Sequence, residues 1–558
     1  MPDSSAPARR WRAPLLALVV PVVLLLAGAA PPPSPQPPAG PLLVETDRGA
    51  VRGRAHDGYR TFEGIPYAAP PTGALRWRPP QPAPRWSGVR DAGAAGARCV
   101  QLPAIGPGGP SGSEDCLFLN VTAPAPGTLR GGSPHRLPVM VWFHGGGFVN
   151  GAGDLYRPER LVVRGGVVVV TVNYRLGVFG LFGHPELGGA PALALADQQA
   201  ALRWVRANAA RFGADPHAVT VFGESAGALS VCAHLVSPAS TGLFHKAIVQ
   251  SGSCSTTIPA QSLLPGLGTY EPFVPETRTV ADGARAARRL GCDGPAGGVL
   301  DCLRRLDART LADPELMQRF SLVPYGNGLL PVEPRRALET GRFHRVPVMQ
   351  GTTLDEMRIF VAQTLAAYPV ADGAAYRARL ERSFGSATAQ AVEAAYPVSG
   401  HPTPALVWAA VLSDASFTCP ALRDSGALAR HVPTYGYRFA DRDAPDFTGL
   451  PAPAGFPSGA SHGFELPYLF TLAPLAGAQR ELADRMTGYW AAFARTGSPG
   501  TGADPGGVRW PRFRGPDSVL SLAPGAEGIR TVDARAEHHC ALWDARWPGP
   551  GTGATRAR

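Results

Sequence analysis

The tightest constraint on the fold lies between Ala218 and Val236. There an apolar strand (Ala218-Val-Thr-Val-Phe222) runs through Gly223-Glu224-Ser225-Ala226-Gly227 into an amphipathic helical stretch, Ala228 to Val236. A strand-to-helix turn this tight forces its central serine into strained backbone geometry, and the flanking glycines let neighbouring chain pass where a Cβ would block it. The pattern is the sequence form of a nucleophile elbow. It requires a sheet whose carboxyl edge displays the Ser225 hydroxyl, and so an α/β fold.

Context, not the pattern alone, makes this reading. With 67 glycines in 558 residues, chance supplies on the order of half a G-x-S-x-G match. Gly459-Ala-Ser461-His-Gly463 is a second match, but it sits in a Pro/Gly-rich loop (PAPAGFPSGASHG) with no strand before it and no helix after it. Ser225 meets the structural requirement and Ser461 does not.

A serine hydroxyl at neutral pH is a weak nucleophile. It needs a general base, and the oxyanion that develops on its target needs fixed donors. The run Leu137-Pro-Val-Met-Val-Trp-Phe143 reads as a buried strand that delivers His144-Gly145-Gly146-Gly147-Phe148. The bared N–H groups of Gly146 and Gly147, with that of Ala226 after the serine, are the candidate oxyanion hole. In hydrolases of this kind the triad follows the order serine, acid, histidine. Downstream of Ser225, the strand Val346–Gln350 leads to Asp355 and Glu356, and the strand Thr434–Phe439 leads to a loop holding His462. Spacing alone does not separate Asp355 from Glu356.

The ends of the chain read differently from its middle. Arg9, Arg10 and Arg12, an apolar stretch from Ala13 to Leu26 and the small residues Ala27-Gly28-Ala29 form an export signal over residues 1–29. About fourteen apolar residues are too few for a spanning helix of roughly twenty, so cleavage is expected in preference to a retained anchor. The Arg9-Arg10 pair leaves Sec and twin-arginine export both open. Residues 30–40 are a Pro-rich spacer, residues 41–548 a single domain without internal linker or repeat, and residues 549–558 a flexible tail.

The formal charge of +10 is nearly all arginine, Lys246 being the only lysine. The arginines are scattered, not clustered with aromatic residues, so nucleic acid is not an expected partner. Eight cysteines in an exported chain indicate disulfides. The adjacent His538-His539-Cys540 lacks the further ligands a metal site needs, so no metal is expected. Asn120-Val-Thr122 is a formal glycosylation sequon, but it falls in an expected strand beside the core and reads as structural.

Taken with Phe62-Glu-Gly-Ile-Pro-Tyr-Ala68, Gly73-Ala-Leu-Arg76, Ser113-Glu-Asp-Cys-Leu-Phe-Leu-Asn120, Asn173-Tyr-Arg-Leu-Gly177, Gln250-Ser-Gly252 and Tyr489-Trp490 through Phe493-Ala-Arg-Thr-Gly497, these motifs resemble the type-B carboxylesterases. That family includes cholinesterases, bacterial para-nitrobenzyl esterases and fungal lipases, and the resemblance runs from residue 41 to 545. It implies the α/β-hydrolase fold, a large, mixed, mostly parallel sheet flanked by helices with long inserted loops. It also implies a serine esterase that needs no cofactor and acts on a small-molecule ester. The resemblance selects Glu356 as the triad acid, leaves Asp355 as a capping or surface residue, and matches His462 to the catalytic histidine. It assigns Glu224, Ser251 and Glu465 to a buried polar support, and Arg76–Glu114 and Arg175–Asp197 to structural ion pairs. It implies the disulfides Cys99–Cys116, Cys292–Cys302 and Cys419–Cys540. Cys232 then reads as a buried thiol, with a bond to Cys254 as the alternative.

The departures from the family pattern narrow the activity. The loop Cys99–Cys116 has no tryptophan, so the aromatic platform for choline is missing. That loop also has no amphipathic stretch of the kind an interfacial lid uses. The segment GGAPALALAD before Asp197 replaces the family's usual Asn and Gly, which puts the local turn in question. The expected activity is hydrolysis of carboxylic esters outside the cytoplasm. The alternatives are a lipase or polyester hydrolase using the same residues, or a cholinesterase-like binding protein without catalysis. Parts of residues 255–330 and 360–410 are expected to shape the acyl and alcohol pockets. Natural substrate and oligomeric state are not encoded in any motif.

Overall fold

The computed structural model describes residues 42–546 apart from 104–107, 129–135, 295–297, 451–452 and 505. The export signal, the spacer and the tail expected at the termini lie outside the described residues.

An eleven-stranded sheet organises the molecule. In chain order its strands are β1 (Arg54–His56), β2 (Tyr59–Pro66), β3 (Phe118–Pro124), β4 (Leu137–Phe143), β5 (Val168–Val172), β6 (Ala214–Glu224), β7 (Lys246–Gln250), β8 (Val348–Thr353), β9 (Thr434–Phe439), β10 (Val519–Leu522) and β11 (Ile529–Val532). Across the sheet they lie in the order β11-β10-β9-β8-β7-β6-β4-β5-β3-β2-β1. The seven strands from β10 to β5 run parallel, and antiparallel strands close both sides. This is the mixed, mostly parallel sheet of an α/β-hydrolase.

Alternation along the central strands explains why both faces are covered. Val139, Val141 and Phe143 of β4 point into one core with Val219 and Val221 of β6, while Met140 and Trp142 point into the opposite core with Phe222. A strand apolar on both sides must be buried on both sides. The first face is covered by α1 (Leu193–Asn208) and α2 (Ala226–Val236), the second by the long helix Gly477–Thr496, whose Met486, Trp490 and Phe493 reach the sheet. Helix α2 is buried from Ala226 to Leu235. The expected amphipathic helix is therefore a core helix, because other elements cover its outer side.

A third core lies among the inserted helices, around Met357, Tyr376, Trp408, Phe417 and Trp543. Within it, α3 (Pro404–Ser413) and α4 (Cys419–Ala429) form one helical run of 26 residues that is long and apolar enough to cross a membrane, yet 89% of its most apolar window is buried in the fold.

Four disulfides staple the chain. Cys99–Cys116, Cys292–Cys302 and Cys419–Cys540 pair as the family resemblance implies. Cys232 is not a thiol. It is bonded to Cys254, because α2 and the segment leaving β7 bring the two Cα atoms to 5.6 Å. The bond to Cys540 also removes that sulfur from any metal-binding role.

The expected ion pairs form, Arg175–Asp197 buried and Arg76–Glu114 partly so. Arg76 Nη2 lies 2.5 Å from Glu114, and Arg175 Nη2 lies 2.7 Å from Asp197. The Ala-rich turn before Asp197 is accommodated by Ala192 in the left-handed region, at φ 48°. Asn120 accepts from Gly64 N–H at 3.0 Å and donates to Thr171 Oγ1 at 3.1 Å, so this sequon is a structural feature of the sheet.

Candidate active site

Strand β6 ends at Glu224, and Ser225 stands at φ 56° and ψ −122° between it and α2. For a non-glycine residue such a conformation costs about 1–3 kcal/mol. The surroundings enforce it. Ser225 N–H donates to the Gln250 carbonyl at 3.0 Å, and the Ser225 carbonyl accepts from Leu229 N–H, also at 3.0 Å. The motif glycines are packing requirements: a Cβ on Gly227 would stand 1.9 Å from the Phe143 carbonyl oxygen, and one on Gly223 would stand 2.5 Å from the Gly227 carbonyl carbon. From Glu224 to Gly227 only Ser225 is not buried.

Strand β4 pairs with β6 in a register that sets Phe143 opposite Gly223, so the chain leaving β4 passes beside the elbow. A Cβ on Gly145 would lie 3.2 Å from the Ser225 Cβ. Gly146 and Gly147 then adopt φ 101° and 61°. Ala226 is the first residue of α2, where a helix N–H has no intrahelical acceptor and the helix dipole is positive. His144 is structural: it stacks on Tyr174 at 4.3 Å, its Nδ1 lies 2.8 Å from the Gly145 carbonyl, and burial pushes its pKa down to about 4.

Glu356 and His462 meet at the same edge of the sheet. Glu356 is completely buried; its Oε1 accepts from Thr353 N–H at 2.8 Å and its Oε2 lies 2.6 Å from His462 Nδ1. Asp355 is neither a cap nor a surface residue. It is buried, accepts from Arg442 at 2.9 Å and from Ala460 N–H at 3.1 Å, and forms an ion pair with Arg358 at 2.9 Å. Those partners occupy Asp355 and leave Glu356 facing the imidazole.

A Carboxylesterase family profile matches residues 40–543 of this chain. The chain belongs to the carboxylesterase family. It is 34% identical to the para-nitrobenzyl esterase of Bacillus subtilis (strain 168) over 84% of this chain and 92% of that protein. It is 36% identical to the cocaine esterase of Oryctolagus cuniculus, covering 86% and 91% of the two chains. It is also 34% identical to the fumonisin B1 esterase of Sphingopyxis macrogoltabida over 89% of each. Among solved structures, a PNB esterase superposes with a TM-score of 0.70 at 32% identity, over 90% of this chain and 99% of that one. This carboxylesterase is a hydrolase of carboxylic esters, and its four disulfides fit an extracellular protein.

The carboxylesterase brings two further carboxylates, Glu224 and Glu465, near His462. Glu224 Oε1 lies 3.1 Å from His462 Nε2, close as an ion pair but not aligned as a hydrogen bond. Glu465 is completely buried and accepts from Gln250 Nε2 at 3.1 Å; Gln250 in turn accepts from Trp490 Nε1 at 3.1 Å. Ser251 is buried at φ 50°, and its N–H donates to the Gly351 carbonyl at 2.9 Å. The structure thus brings Glu224 and Glu465 to the histidine's surroundings and sets Ser251 at the end of the neighbouring strand. Burial raises Glu224 to about 7 against the pull of His462, with Glu356 adding to the rise. Burial followed by Glu224 and Glu356 raises Glu465 to about 8. For His462 burial works downward, but Glu224, Glu356 and Glu465 outweigh it and raise the imidazole to about 9.

Sequence reasoning missed the two aromatic rings on His462, Phe360 at 5.1 Å and Phe417 at 5.2 Å between centroids. It also missed Arg358 and Arg442. Phe360 lies only four residues beyond Glu356, a nearness in sequence that offered a signal. Phe417 had none.

Proposed function

We propose that this carboxylesterase hydrolyses its esters through an acyl-enzyme intermediate, with Ser225 as nucleophile, His462 as general base and Glu356 as the acid that orients it. His462 Nε2 takes the Ser225 hydroxyl proton as Oγ attacks the ester carbonyl carbon. Glu356 holds the imidazole by Nδ1 and stabilises its charged form. The N–H groups of Gly146, Gly147 and Ala226 receive the oxyanion. The tetrahedral intermediate collapses, His462 returns the proton to the departing alcohol, and the acyl group stays on Ser225. Water then attacks with His462 again as base, releasing the carboxylic acid and restoring the serine. Glu224, Ser251 and Glu465 form the polar support that holds the histidine.

The observation that carries this reading is the 2.6 Å contact between His462 Nδ1 and the buried Glu356, at the sheet edge where Ser225 stands in its strained turn. The relatives' activities support small esters, para-nitrobenzyl esters among them. The tryptophan-free loop Cys99–Cys116 favours uncharged alcohols over choline. Residues 1–29 export the chain, and residues 41–548 act as one catalytic domain.

The test uses the purified mature chain, p-nitrophenyl and para-nitrobenzyl esters, and an organophosphonate serine probe. Wild type is expected to turn over and to be labelled, and Ser225→Ala to do neither. Folded wild type that neither hydrolyses nor labels would overturn the assignment.

A further inference from the structure

The helical run Pro404–Ala429 is irregular at one place. Between α3 and α4, residues Asp414–Thr418 wind as a π-helix. A π-turn weakens hydrogen-bond geometry, and such turns recur at functional sites. Pro420, two residues beyond the turn, has no N–H to offer the Ser416 carbonyl and so opens the helical ladder there. Where the opened turn sits is fixed by what it is tied to.

Three anchors hold it. Just before the turn, Ser413 Oγ accepts from Met357 N–H at 2.9 Å, next to the triad acid Glu356. At its first residue, the Asp414 carboxylate meets His538 Nδ1 at 2.6 Å and accepts from Tyr396 OH at 2.7 Å. Just after the turn, Cys419 is bonded to Cys540. Two of the three anchors, His538 and Cys540, come from the C-terminal segment, far from Ser225 in sequence. Between the anchors the turn presents Phe417, whose ring is inclined 59° to the His462 imidazole.

An imidazole tethered by Nδ1 to one carboxylate oxygen still swings about that contact. Here the swing decides which group Nε2 serves, because Glu224 Oε1 competes for it at 3.1 Å. A ring packed on the imidazole limits the swing at almost no polar cost. We infer that Phe417 is a positioning residue for His462, and that the C-terminal segment His538–Cys540 sets its place through the π-turn. The inference rests on the acyl-enzyme reading above. It makes the activity depend on a segment that does not touch the reacting atoms.

The experiment compares wild type with Phe417→Leu, Phe417→Tyr and His538→Gln. It measures kcat and KM on p-nitrophenyl acetate and butyrate, the labelling rate by a small methylphosphonate, and the thermal midpoint. Phe417→Leu is expected to lower kcat and the labelling rate about tenfold, with KM for both esters within about twofold of wild type. Phe417→Tyr, which keeps the ring, restores most of the rate. His538→Gln gives the same signature at about threefold, and its combination with Phe417→Leu falls short of the product of the two, as residues in one network do. Should His538→Gln lose its fold, Tyr396→Phe, which removes one hydrogen bond to Asp414, reads the same anchor.

Three results overturn the inference. One is a Phe417→Leu enzyme whose KM or acyl preference changes at unaltered kcat, which makes Phe417 a pocket wall. A second is a folded anchor variant with wild-type labelling. The third is wild-type behaviour of Phe417→Leu beside an active wild type. An inactive, unlabelled wild type instead overturns the acyl-enzyme reading itself.

Discussion

His462 Nε2 stands 3.1 Å from Glu224 Oε1, so the imidazole lies between two carboxylates, Glu356 on its Nδ1 side and Glu224 on the other. Glu224 immediately precedes the proposed nucleophile. A buried carboxylate at that distance stabilises the imidazolium, the form that develops when the serine proton is taken up. It also holds the resting base in its charged, unreactive form to a higher pH.

The sign of the pH dependence follows. With neutral His462 as the proposed base, kcat/KM rises with pH, and the limb is displaced upward from the ordinary 6.5 toward about 9. Of the carboxylates that raise it, Glu224 acts most strongly. Glu224→Gln removes an opposite charge, and the limb moves to lower pH by about one unit or more. At the pH plateau the same variant turns over more slowly, since the imidazolium of the transition state has lost a partner. A pH profile of kcat/KM for the two enzymes decides it, and an unmoved limb rules out the coupling.

Glu356 and Asp355 are adjacent acids with different employment, and their amide variants separate the roles. Glu356→Gln keeps the shape but withdraws the charge from His462 Nδ1; kcat falls by about three to four orders of magnitude with little change in thermal midpoint. Asp355→Asn loses charge-assisted bonds to Arg358 and Arg442, at about 1–3 kcal/mol of stability, while kcat stays within about tenfold of wild type. Urea midpoints and single-ester kinetics on both variants suffice. An Asp355→Asn enzyme as inactive as Glu356→Gln would reverse the assignment.

What was legible in the sequence was chemistry written by local sterics. Gly223 and Gly227 exist because main chain passes within what would be a Cβ radius, and that requirement leaves a five-residue signature around Ser225. Strands β4 and β9 were read to the residue because each is an uninterrupted buried segment. Asp355 and Glu356 were not separable from spacing, because the choice is made by Arg442 and Ala460, about ninety to a hundred residues downstream. Phe417 was invisible for the same reason. A π-turn held by Asp414, His538 and Cys540 is a tertiary agreement among distant segments, and no periodicity records it.

The Cys232–Cys254 bond is the fastening that sequence left open, and it joins α2, the helix that begins at the elbow, to the segment leaving β7. It closes a loop of 22 residues, which in the chain-entropy account is worth about 3 kcal/mol. The pair Cys232→Ala and Cys254→Ala is expected to lower the urea midpoint accordingly and to leave turnover at low temperature nearly intact. Peptide mapping without reductant should recover the two cysteines in one cross-linked fragment. Recovery of both as free thiols would refute the bond.

Gly227→Ala tests whether the elbow is limited by space or merely by habit of sequence. The added methyl would meet the Phe143 carbonyl oxygen at 1.9 Å, a distance no side-chain rotation relieves, because both atoms are fixed to backbone. Either α2 moves away from the end of β4 or the β4 exit moves away from α2. The first displaces Ser225 and the Ala226 N–H, and the second displaces Gly146 and Gly147, so each separates the proposed nucleophile from the proposed oxyanion donors. Phosphonate labelling should therefore fall by at least about two orders of magnitude, the scale of losing one oxyanion donor, while far-UV circular dichroism still reports a folded chain. Ser461→Ala, in the second G-x-S-x-G match, is the control: the Ser461 hydroxyl donates to the Ser458 carbonyl at 2.6 Å, and its loss costs about 1 kcal/mol of stability and little labelling. Wild-type labelling by Gly227→Ala would mean that the elbow tolerates a Cβ after all, and with it would go the steric reason for reading Ser225 as the nucleophile.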